Sequence, residues 1–238
     1  GQISRISCVL PFAMGYRRII DPLKSVSAWR GRFSLNRLRK EELAAAAFMA
    51  NLETECLRLK RELRQGRWRP GGYVTIRVTD SKARLVSAAP FRDRVVHHVL
   101  CNVIEPLFER SFIYDSYANR VGKGTHRAIT RCQMFARHYD YVLQCDIAQF
   151  FPSIDHAILR DILKQRIGDV DVMNLIDVIL RSGEKILTET YTPVYFAGDD
   201  LWAVLRPRGL PIGNLSSQFW ANCYLNPLDH FIKRKLRC

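Results

Sequence analysis

The sequence predicts an α+β protein in which helices pack on one face of a small sheet. Apolar residues recur every three to four positions through most of the chain, which indicates amphipathic helices. A stretch near residue 75 instead alternates apolar and polar residues, which is typical of a half-buried strand. With 238 residues, 47% of them hydrophobic, the chain is large enough to bury a core as one domain or two closely packed subdomains.

The first predicted element is a helix over residues 41–65 with a basic outer face. Gly66 follows it, and glycine is a frequent helix end. Arginine and lysine residues lie between the apolar positions in its second half. The apolar residues at helical spacing are Phe48, Leu52, Cys56, Leu59 and Leu63.

A basic hairpin is predicted next, followed by a largely buried helix over residues 91–107. Residues 74–79 alternate apolar and polar side chains, and the pair Asp80 and Ser81 supplies a turn. The second strand of the hairpin ends near Pro90. The helix that follows is rich in valine, isoleucine and leucine at helical spacing.

The remaining predicted elements are helices and one apolar strand. The strand covers residues 139–146 and ends on Asp146. A segment punctuated by glycine and proline, residues 182–211, is expected to form a hairpin and a loop. Pro227 is expected to break or kink the last helical stretch. The predicted helices cover residues 125–138, 155–167, 172–180, 216–225 and 227–236.

The charge of the chain indicates a polyanionic partner. Lysine and arginine total 37 against 23 aspartate and glutamate, which gives a net charge of +14. Binding of such a protein to nucleic acid is favoured because neutralised phosphates release their condensed counterions. Charge alone does not exclude a basic surface without a specific partner. It raises the expectation of nucleic-acid binding without deciding it.

The cysteines and the apolar runs bear on the cellular location of the protein and on membrane contact. None of the seven cysteines forms a Cys-x-x-Cys pair, which favours reduced thiols in a cytoplasmic protein. No apolar run approaches the roughly 20 residues needed to span a bilayer, so no membrane partner is expected. The sequence begins at Gly1 and not at methionine, which indicates a piece of a longer protein.

Asp146 is the first candidate catalytic residue. It stands at the end of the predicted strand, and the aromatic residues Phe150 and Phe151 follow it. A carboxylate at a strand end suits Mg²⁺, because the sheet fixes its direction while adjoining loops admit substrate. Surface strands often end on aspartate, so this position alone is a weak signal. Phe150 and Phe151 are adjacent and would point to opposite sides of a strand, so one of them is expected in the core.

Four segments, taken together, carry a stronger signal. They read KARLVSAAPFRDRVVHHVL, FIYDSYANRVGKGTHRA, DIAQFFPSIDHAIL and GLPIGNLSSQFWANCYLNPLD, and they occur in this order. The chain from about Leu35 to its end resembles the bacterial reverse transcriptases, and more narrowly those of diversity-generating retroelements. The resemblance implies fingers and palm subdomains of a right-hand polymerase. It also implies an N-terminal extension over residues 1–34, fingers with part of the palm over 35–138, and an incomplete palm over 139–238.

The resemblance also implies roles for particular residues. Asp146 matches the first metal-binding aspartate of the family, with the carbonyl of Ile147 as a further ligand, for two Mg²⁺ ions. Phe151 matches the steric gate that selects dNTP over rNTP. Lys82 and Arg84 match residues that grip the incoming triphosphate, and Arg77 is a weaker candidate for the same role. Gly213 lies where the loop approaches nucleotide and template closely.

The narrower resemblance, to the enzymes of diversity-generating retroelements, rests on Ile212. Most reverse transcriptases have glutamine at this position and a later Ser-Pro, whereas this chain has Ile212-Gly213 and then Ser217-Gln218. That pairing points to the diversity-generating group, which makes error-prone cDNA from a template RNA. The implied partners are template RNA, RNA/DNA primer-template, dNTP and a small basic accessory protein. Group II intron and retron enzymes are the nearest alternatives within the family.

The Tyr-x-Asp-Asp motif and the thumb of the family are expected downstream of Cys238, so the chain by itself is expected to be inactive. Asp199 and Asp200 are interpreted as a loop, because their place in the motif order is wrong. A non-catalytic RNA-binding module is the alternative of another class.

Three further groups of residues have structural interpretations. The segment at residues 122–126 lacks the spacing of a phosphate-binding loop and is interpreted as a turn into a helix. Residues 92–94 are interpreted as an ion-pair cluster at a helix start. A zinc site of His97, Cys101 and His126 has little support, because the ligand spacing is unusual.

Overall fold

The fold is given by a computed structural model that describes residues 39–79, 83–184, 186–187, 192, 202 and 205–237. Within these ranges the chain is mostly helical with a single two-stranded sheet. In chain order the elements are α1 (Arg39–Ala50), α2 (Leu52–Arg64), β1 (Val74–Thr79), β2 (Ala83–Ala88), α3 (Phe91–Glu109), α4 (Thr125–Ala136), α5 (Phe150–Ser153), α6 (His156–Lys164), α7 (Val170–Gly183), α8 (Leu215–His230) and a π-helical segment (Phe231–Leu236).

The core begins where α1 and α2 pack beside α3. The predicted helix over residues 41–65 is two helices that meet at Asn51, and its apolar positions Cys56, Leu59 and Leu63 are buried as expected. Phe48 of α1 packs against Phe91 at the start of α3, with ring centroids 5.3 Å apart. The chain leaves α2 at Gly66, whose φ of 61° is in the left-handed region that glycine adopts without strain.

The second half of the core is built by α6, α7 and α8 against α3. Each of α6 and α7 begins at an aspartate whose side chain accepts hydrogen bonds from two backbone N–H groups of the first turn, Asp155 for α6 and Asp169 for α7. Phe219 of α8 meets Phe108 of α3 edge to face, with centroids 5.7 Å apart. Trp220 lies in the same apolar cluster and is almost fully buried.

The hairpin of β1 and β2 is antiparallel, as predicted, but it is not a layer beneath the helices. Val74 and Leu85 are exposed, whereas Ser87, Ala88 and Ala89 are buried. The hairpin therefore meets the helical body through the end of β2. The expectation of helices packed on one face of a sheet is not met in the described residues, because their sheet consists of the two strands of this hairpin.

The predicted strand over residues 139–146 is also wrong. This segment pairs with no strand in the described part of the chain, and Tyr141, Val142 and Leu143 are between 79% and 92% exposed. A strand exists only where a neighbour supplies hydrogen bonds, and apolar composition predicts burial without supplying that neighbour. The segment is an extended connection between α4 and α5.

Pro227 does not end the last helix. It lies inside α8, which continues to His230 before the backbone changes to π-helical hydrogen bonding at Phe231. Proline removes one N–H donor, yet the helix continues through it because the next turn keeps its own hydrogen bonds.

The structure describes five of the seven cysteines. Cysteines 56, 101, 132, 145 and 223 are free thiols, and those at 56, 101 and 223 are buried. No helix in the described ranges has the length and apolar character to cross a bilayer.

Candidate active site

A loop over residues 207–214 forms the centre of the candidate site, and it is called the bridging loop here. Its first half is tied to α5 and to the start of α6. The N–H of Leu210 donates to the carbonyl of Phe151 at 2.9 Å, and the N–H of Gly209 donates to the carbonyl of Ile154 at 2.9 Å. His156 Nε2 donates to the carbonyl of Gly209 at 2.8 Å, and both groups are buried. These bonds fix the path of the loop beside Phe151.

The second half of the bridging loop is tied to the buried end of the hairpin. The N–H of Ser87 donates to the carbonyl of Ile212 at 2.7 Å. The side chain of Asn214 accepts from the N–H of Ala89 at 3.0 Å and donates to the carbonyl of Ser87 at 3.0 Å. Asn214 is 2% exposed, so these bonds are shielded from water. The loop thereby joins the hairpin to α5.

Gly213 makes this close approach possible. Its φ is 121°, and a Cβ built on it would lie 2.8 Å from Val86 Cγ1 and 3.4 Å from the carbonyl oxygen of Ser87. Both the backbone conformation and the space favour glycine. The segment that Gly213 approaches closely is the hairpin, so packing alone requires glycine at this position, whether or not the loop also contacts a nucleotide.

Phe151 lies in α5, to which the bridging loop is hydrogen-bonded, and Ile212 lies in the loop itself. Phe151 is half-buried and packs against the core together with Phe150, the ring centroids being 5.4 Å apart. Both phenylalanines lie in the short helix α5 and not in a strand, and both pack against the core, so they do not take the opposite sides expected of strand neighbours. Ile212 is half-buried and lies outside the apolar cluster that contains Leu210.

Asp146 and Ile147 lie on the exposed connection that precedes α5. The Asp146 carboxylate accepts one hydrogen bond, from the N–H of Ile147 at 3.0 Å. A carboxylate and a carbonyl are the hard oxygen donors that Mg²⁺ prefers, and a carboxylate with one such bond keeps lone pairs for a metal. The described ranges contain no group of three or more His, Cys, Asp or Glu side chains that could hold a metal ion. These two residues thus fit part of a magnesium ligand set.

Two of the three triphosphate-binding candidates, Arg77 and Arg84, lie on the hairpin. Arg77 pairs with Leu85 and Arg84 pairs with Val78 in the antiparallel register. Because directly opposed residues share a face and neighbours along a strand do not, positions 77 and 84 are on opposite faces of the hairpin. Lys82 lies outside the described residues, as do Asp199 and Asp200.

The other interpreted groups have structural roles. Arg92 forms an ion pair with Glu62 of α2 at 2.6 Å, and the buried Asp93 accepts from the N–H of Gly71 at 2.6 Å. The helix α4 begins at Thr125 directly after Gly124, which confirms a turn into a helix. His97 and Cys101 are buried whereas His126 is exposed, and no zinc cluster forms among the described residues.

Sequence reasoning missed Asn214 and His156 as parts of the site. Each is a polar residue beside apolar neighbours in a segment that the resemblance covers, and each is buried with its side chain bonded to main-chain groups. A buried polar side chain needs such partners, so an asparagine directly after a Pro-Ile-Gly turn was an available signal.

The chain is similar in sequence to parts of several known proteins. No protein-family model matches the chain. It is 25% identical over 166 residues to a COX1/OXI3 intron 2 protein of Saccharomyces cerevisiae, a match that covers 70% of the chain and 18% of the yeast protein. It is 24% identical over 151 residues to the group II intron-encoded protein LtrA of Lactococcus lactis, a match that covers 63% of the chain and 23% of LtrA. The matched relatives thus include a group II intron-encoded protein.

Two further similarities extend over most of the chain. Protein YkfC of Escherichia coli is 24% identical over 193 residues, which are 78% of the chain and 47% of YkfC. A chain of a partial Cas6-RT-Cas1–Cas2 complex superposes over 90% of this chain and 33% of its own, at 19% identity and a TM-score of 0.47. The chain spans less than half the length of each of these curated relatives.

Proposed function

We propose that the protein containing this chain is an RNA-directed DNA polymerase that makes cDNA from a template RNA by two-metal nucleotidyl transfer. The observation that carries the proposal is the bridging loop. It joins the hairpin, α5 and the start of α8, which hold three of the four segments that resemble reverse transcriptases. The homology to group II intron-encoded proteins supports the same reaction class.

Asp146 is the proposed catalytic carboxylate, with the Ile147 carbonyl as a second oxygen ligand. When bound, Mg²⁺ promotes deprotonation of the primer 3′ hydroxyl and neutralises charge on the triphosphate. Asp146 suits this role because its carboxylate is exposed to solvent and, among the described residues, accepts a hydrogen bond from the adjacent N–H of Ile147. The second metal-binding carboxylate is proposed to come from the Tyr-x-Asp-Asp motif of the whole protein.

The hairpin and α5 supply the proposed nucleotide contacts. Lys82 and Arg84 are proposed to hold the triphosphate of the incoming dNTP, and Arg77, on the other face, remains the weaker candidate. Phe151 is proposed to exclude a 2′-hydroxyl. Its backbone carbonyl accepts from the N–H of Leu210, so the main chain that carries the ring has a defined position relative to the bridging loop. Gly213 is proposed to let the nucleotide approach that loop.

Two subtypes of this function are supported by different observations. The pair Ile212 and Gly213 supports an error-prone enzyme of a diversity-generating retroelement, for which a small basic accessory protein is the further proposed partner. The intron-encoded relatives support a group II intron-like enzyme. In both cases the proposed partners are template RNA, RNA/DNA primer-template and dNTP.

Asp146→Asn tests the proposed reaction in the whole protein. The amide keeps the size of the side chain but loses the charge that fixes the metal, so we expect DNA synthesis on an RNA template to be abolished and RNA binding to be retained. Asp140→Asn is the matched control, because Asp140 is an exposed aspartate in the same connection. Primer extension and RNA binding are measured for both variants.

Continued synthesis by Asp146→Asn would remove Asp146 from the mechanism. Absence of synthesis by the wild-type protein, combined with retained RNA binding, would favour the non-catalytic RNA-binding module.

A further inference from the structure

A second candidate site lies away from the bridging loop, where the connection between α3 and α4 meets α4. A cavity of about 320 Å³ opens there between Tyr114, Tyr117, Lys123, Arg127 and Arg131, and this set is called the Tyr114 surface. Its volume is in the range of ligand pockets. The proposed polymerase reaction assigns no role to it.

The connection that carries the two tyrosines is held in one conformation. Arg120 donates to both carboxylate oxygens of Glu109 and to the carbonyls of Ile113 and Ser116, at 2.9 and 2.7 Å for the two carbonyls. Asn222 of α8 also donates to the carbonyl of Ala118 at 2.7 Å. The loop is therefore preorganised, and binding on it costs little conformational entropy.

The aromatic rings of this surface are open to solvent or covered by cations. Tyr114 is 72% exposed, although large aromatic residues are usually buried. The ammonium of Lys123 lies 3.7 Å from the Tyr114 ring centroid and 5.0 Å from that of Tyr117. The Lys123 ammonium also donates to the carbonyl of Tyr114 at 2.6 Å, which leaves further N–H donors for a ligand.

The charge of the surroundings is strongly positive. Lys123, Arg127 and Arg131 line the cavity, and Lys233 of the π-helical segment lies beside the neighbouring carboxylate of Asp115. Asp115 pairs with Arg131 at 2.8 Å and with Lys233 at 3.5 Å. Partial burial alone would raise the pKa of Asp115, but the hydrogen bonds and charges of these two cations outweigh it and lower that pKa. Lys123 and Arg127 have no carboxylate partner among the described residues, Arg127 donating to the carbonyl of Gly122.

The basic face of α2 is the competing surface, and its Arg58 is compensated by carboxylates. Arg58 pairs with Glu62 at 3.2 Å and with Glu55 at 3.8 Å. That face also lacks exposed aromatic rings. A groove of uncompensated cations beside an exposed aromatic ring is an arrangement that binds single strands, because phosphates meet the cations and a base stacks on the ring.

We propose that the Tyr114 surface binds single-stranded RNA, with a base stacked on Tyr114 and neighbouring phosphates on Lys123 and Arg127. The identity of the polyanion as RNA rests on the proposed function. A duplex is the less suitable ligand, because its bases are stacked on one another and are not available to an exposed ring.

Fluorescence anisotropy of the 238-residue chain with a labelled 12-nucleotide oligouridine tests the site. We expect Tyr114→Ala to raise Kd by about 5- to 150-fold and Tyr114→Phe to bind like the wild type, because the ring and not the hydroxyl stacks. We expect Lys123→Gln to reduce the slope of log Kd against log salt by about 0.7, the value for one phosphate contact on a single strand.

Tyr141→Ala and Lys164→Gln are the matched controls, since both side chains are exposed and lie outside the Tyr114 surface. Circular dichroism of each variant establishes that it is folded. Wild-type affinity of Tyr114→Ala, equal losses in the controls, or an equal loss of duplex RNA binding would overturn the site. The Asp146→Asn experiment decides the proposed reaction independently, because it measures synthesis and leaves the Tyr114 surface intact.

Discussion

At the scale of single residues, Ile212 is the position where the two proposed subtypes differ. Its carbonyl accepts from Ser87, and its side chain is half-buried outside the apolar cluster. If the side chain served only to pack with Leu210, we would expect it inside that cluster. A change of the side chain leaves the backbone hydrogen bond in place, so substitution at this position tests the side chain alone.

Ile212→Gln in the whole protein is expected to lower misincorporation, particularly opposite template adenine. Glutamine adds a polar group that can hydrogen-bond near the sugar of a correctly paired nucleotide, whereas isoleucine has no donor or acceptor. A contact of about 1 to 3 kcal/mol corresponds to a change in discrimination of about 5- to 150-fold. Sequencing cDNA copied from one defined RNA measures it. Ile158→Gln, at an exposed isoleucine of α6, is the control, and equal error spectra for Ile212→Gln and wild type would show that Ile212 does not set fidelity.

At the scale of elements, the attachment of the hairpin depends on Gly213. Gly213→Ala is expected to lower the free energy of unfolding by about 1 to 3 kcal/mol, because it combines an unfavourable φ with a Cβ 2.8 Å from Val86 Cγ1. Gly72→Ala is the matched control, since its Cβ would meet no atom within 4 Å. Urea unfolding measures both variants. An undiminished stability of Gly213→Ala would mean that the bridging loop adjusts at no cost.

The elements that the sequence could predict are those with local causes. The helices follow from the spacing of apolar residues. Asp155 and Asp169 cap two of them, and aspartate is a preferred residue at a helix N-terminus because its side chain accepts hydrogen bonds from the first backbone N–H groups. The hairpin follows from alternation and a turn. The prediction of a strand over residues 139–146 is wrong because a strand needs a pairing partner, and no local sequence pattern specifies that partner.

The candidate site could be predicted only in part for the same reason. The segments of Phe151 and Ile212 were identified by resemblance, but their connection through Asn214 and His156 is tertiary. The pairing of Arg58 with Glu55 and Glu62 likewise changes the balance of exposed charge. Composition counts charges, whereas the structure decides which of them are compensated.

At the scale of the whole molecule, the buried His97 makes stability depend on pH. It lies in the core of α3, 1% exposed, with Nδ1 3.1 Å from the Ser216 hydroxyl and with no partner for Nε2 among the described residues. Burial, together with the nearby His98, lowers the pKa of His97 to about 3. The unfolded chain therefore binds one more proton at this residue than the folded chain between pH 6.5 and about 3.

Stability is therefore expected to fall as the pH is lowered below 6.5, with His97 contributing up to about 1.4 kcal/mol per pH unit. Urea unfolding between pH 7.5 and 5 measures the slope, and His97→Gln is expected to show a smaller one because glutamine does not titrate. His126→Gln, at an exposed histidine, is the control and is expected to keep the wild-type slope. Equal slopes for His97→Gln and wild type would exclude His97 as the source.

The bridging loop also bears on how the molecule tolerates evolutionary change. Most of its partners are main-chain groups, those of Phe151, Ile154, Ser87 and Ala89. A carbonyl or an N–H is the same whatever side chain its residue carries, so mutations at these partners preserve the connection. Selection on the connection falls instead on Gly213 and Asn214, where a missing Cβ and an amide are needed. The architecture can thus persist while most of the surrounding sequence drifts.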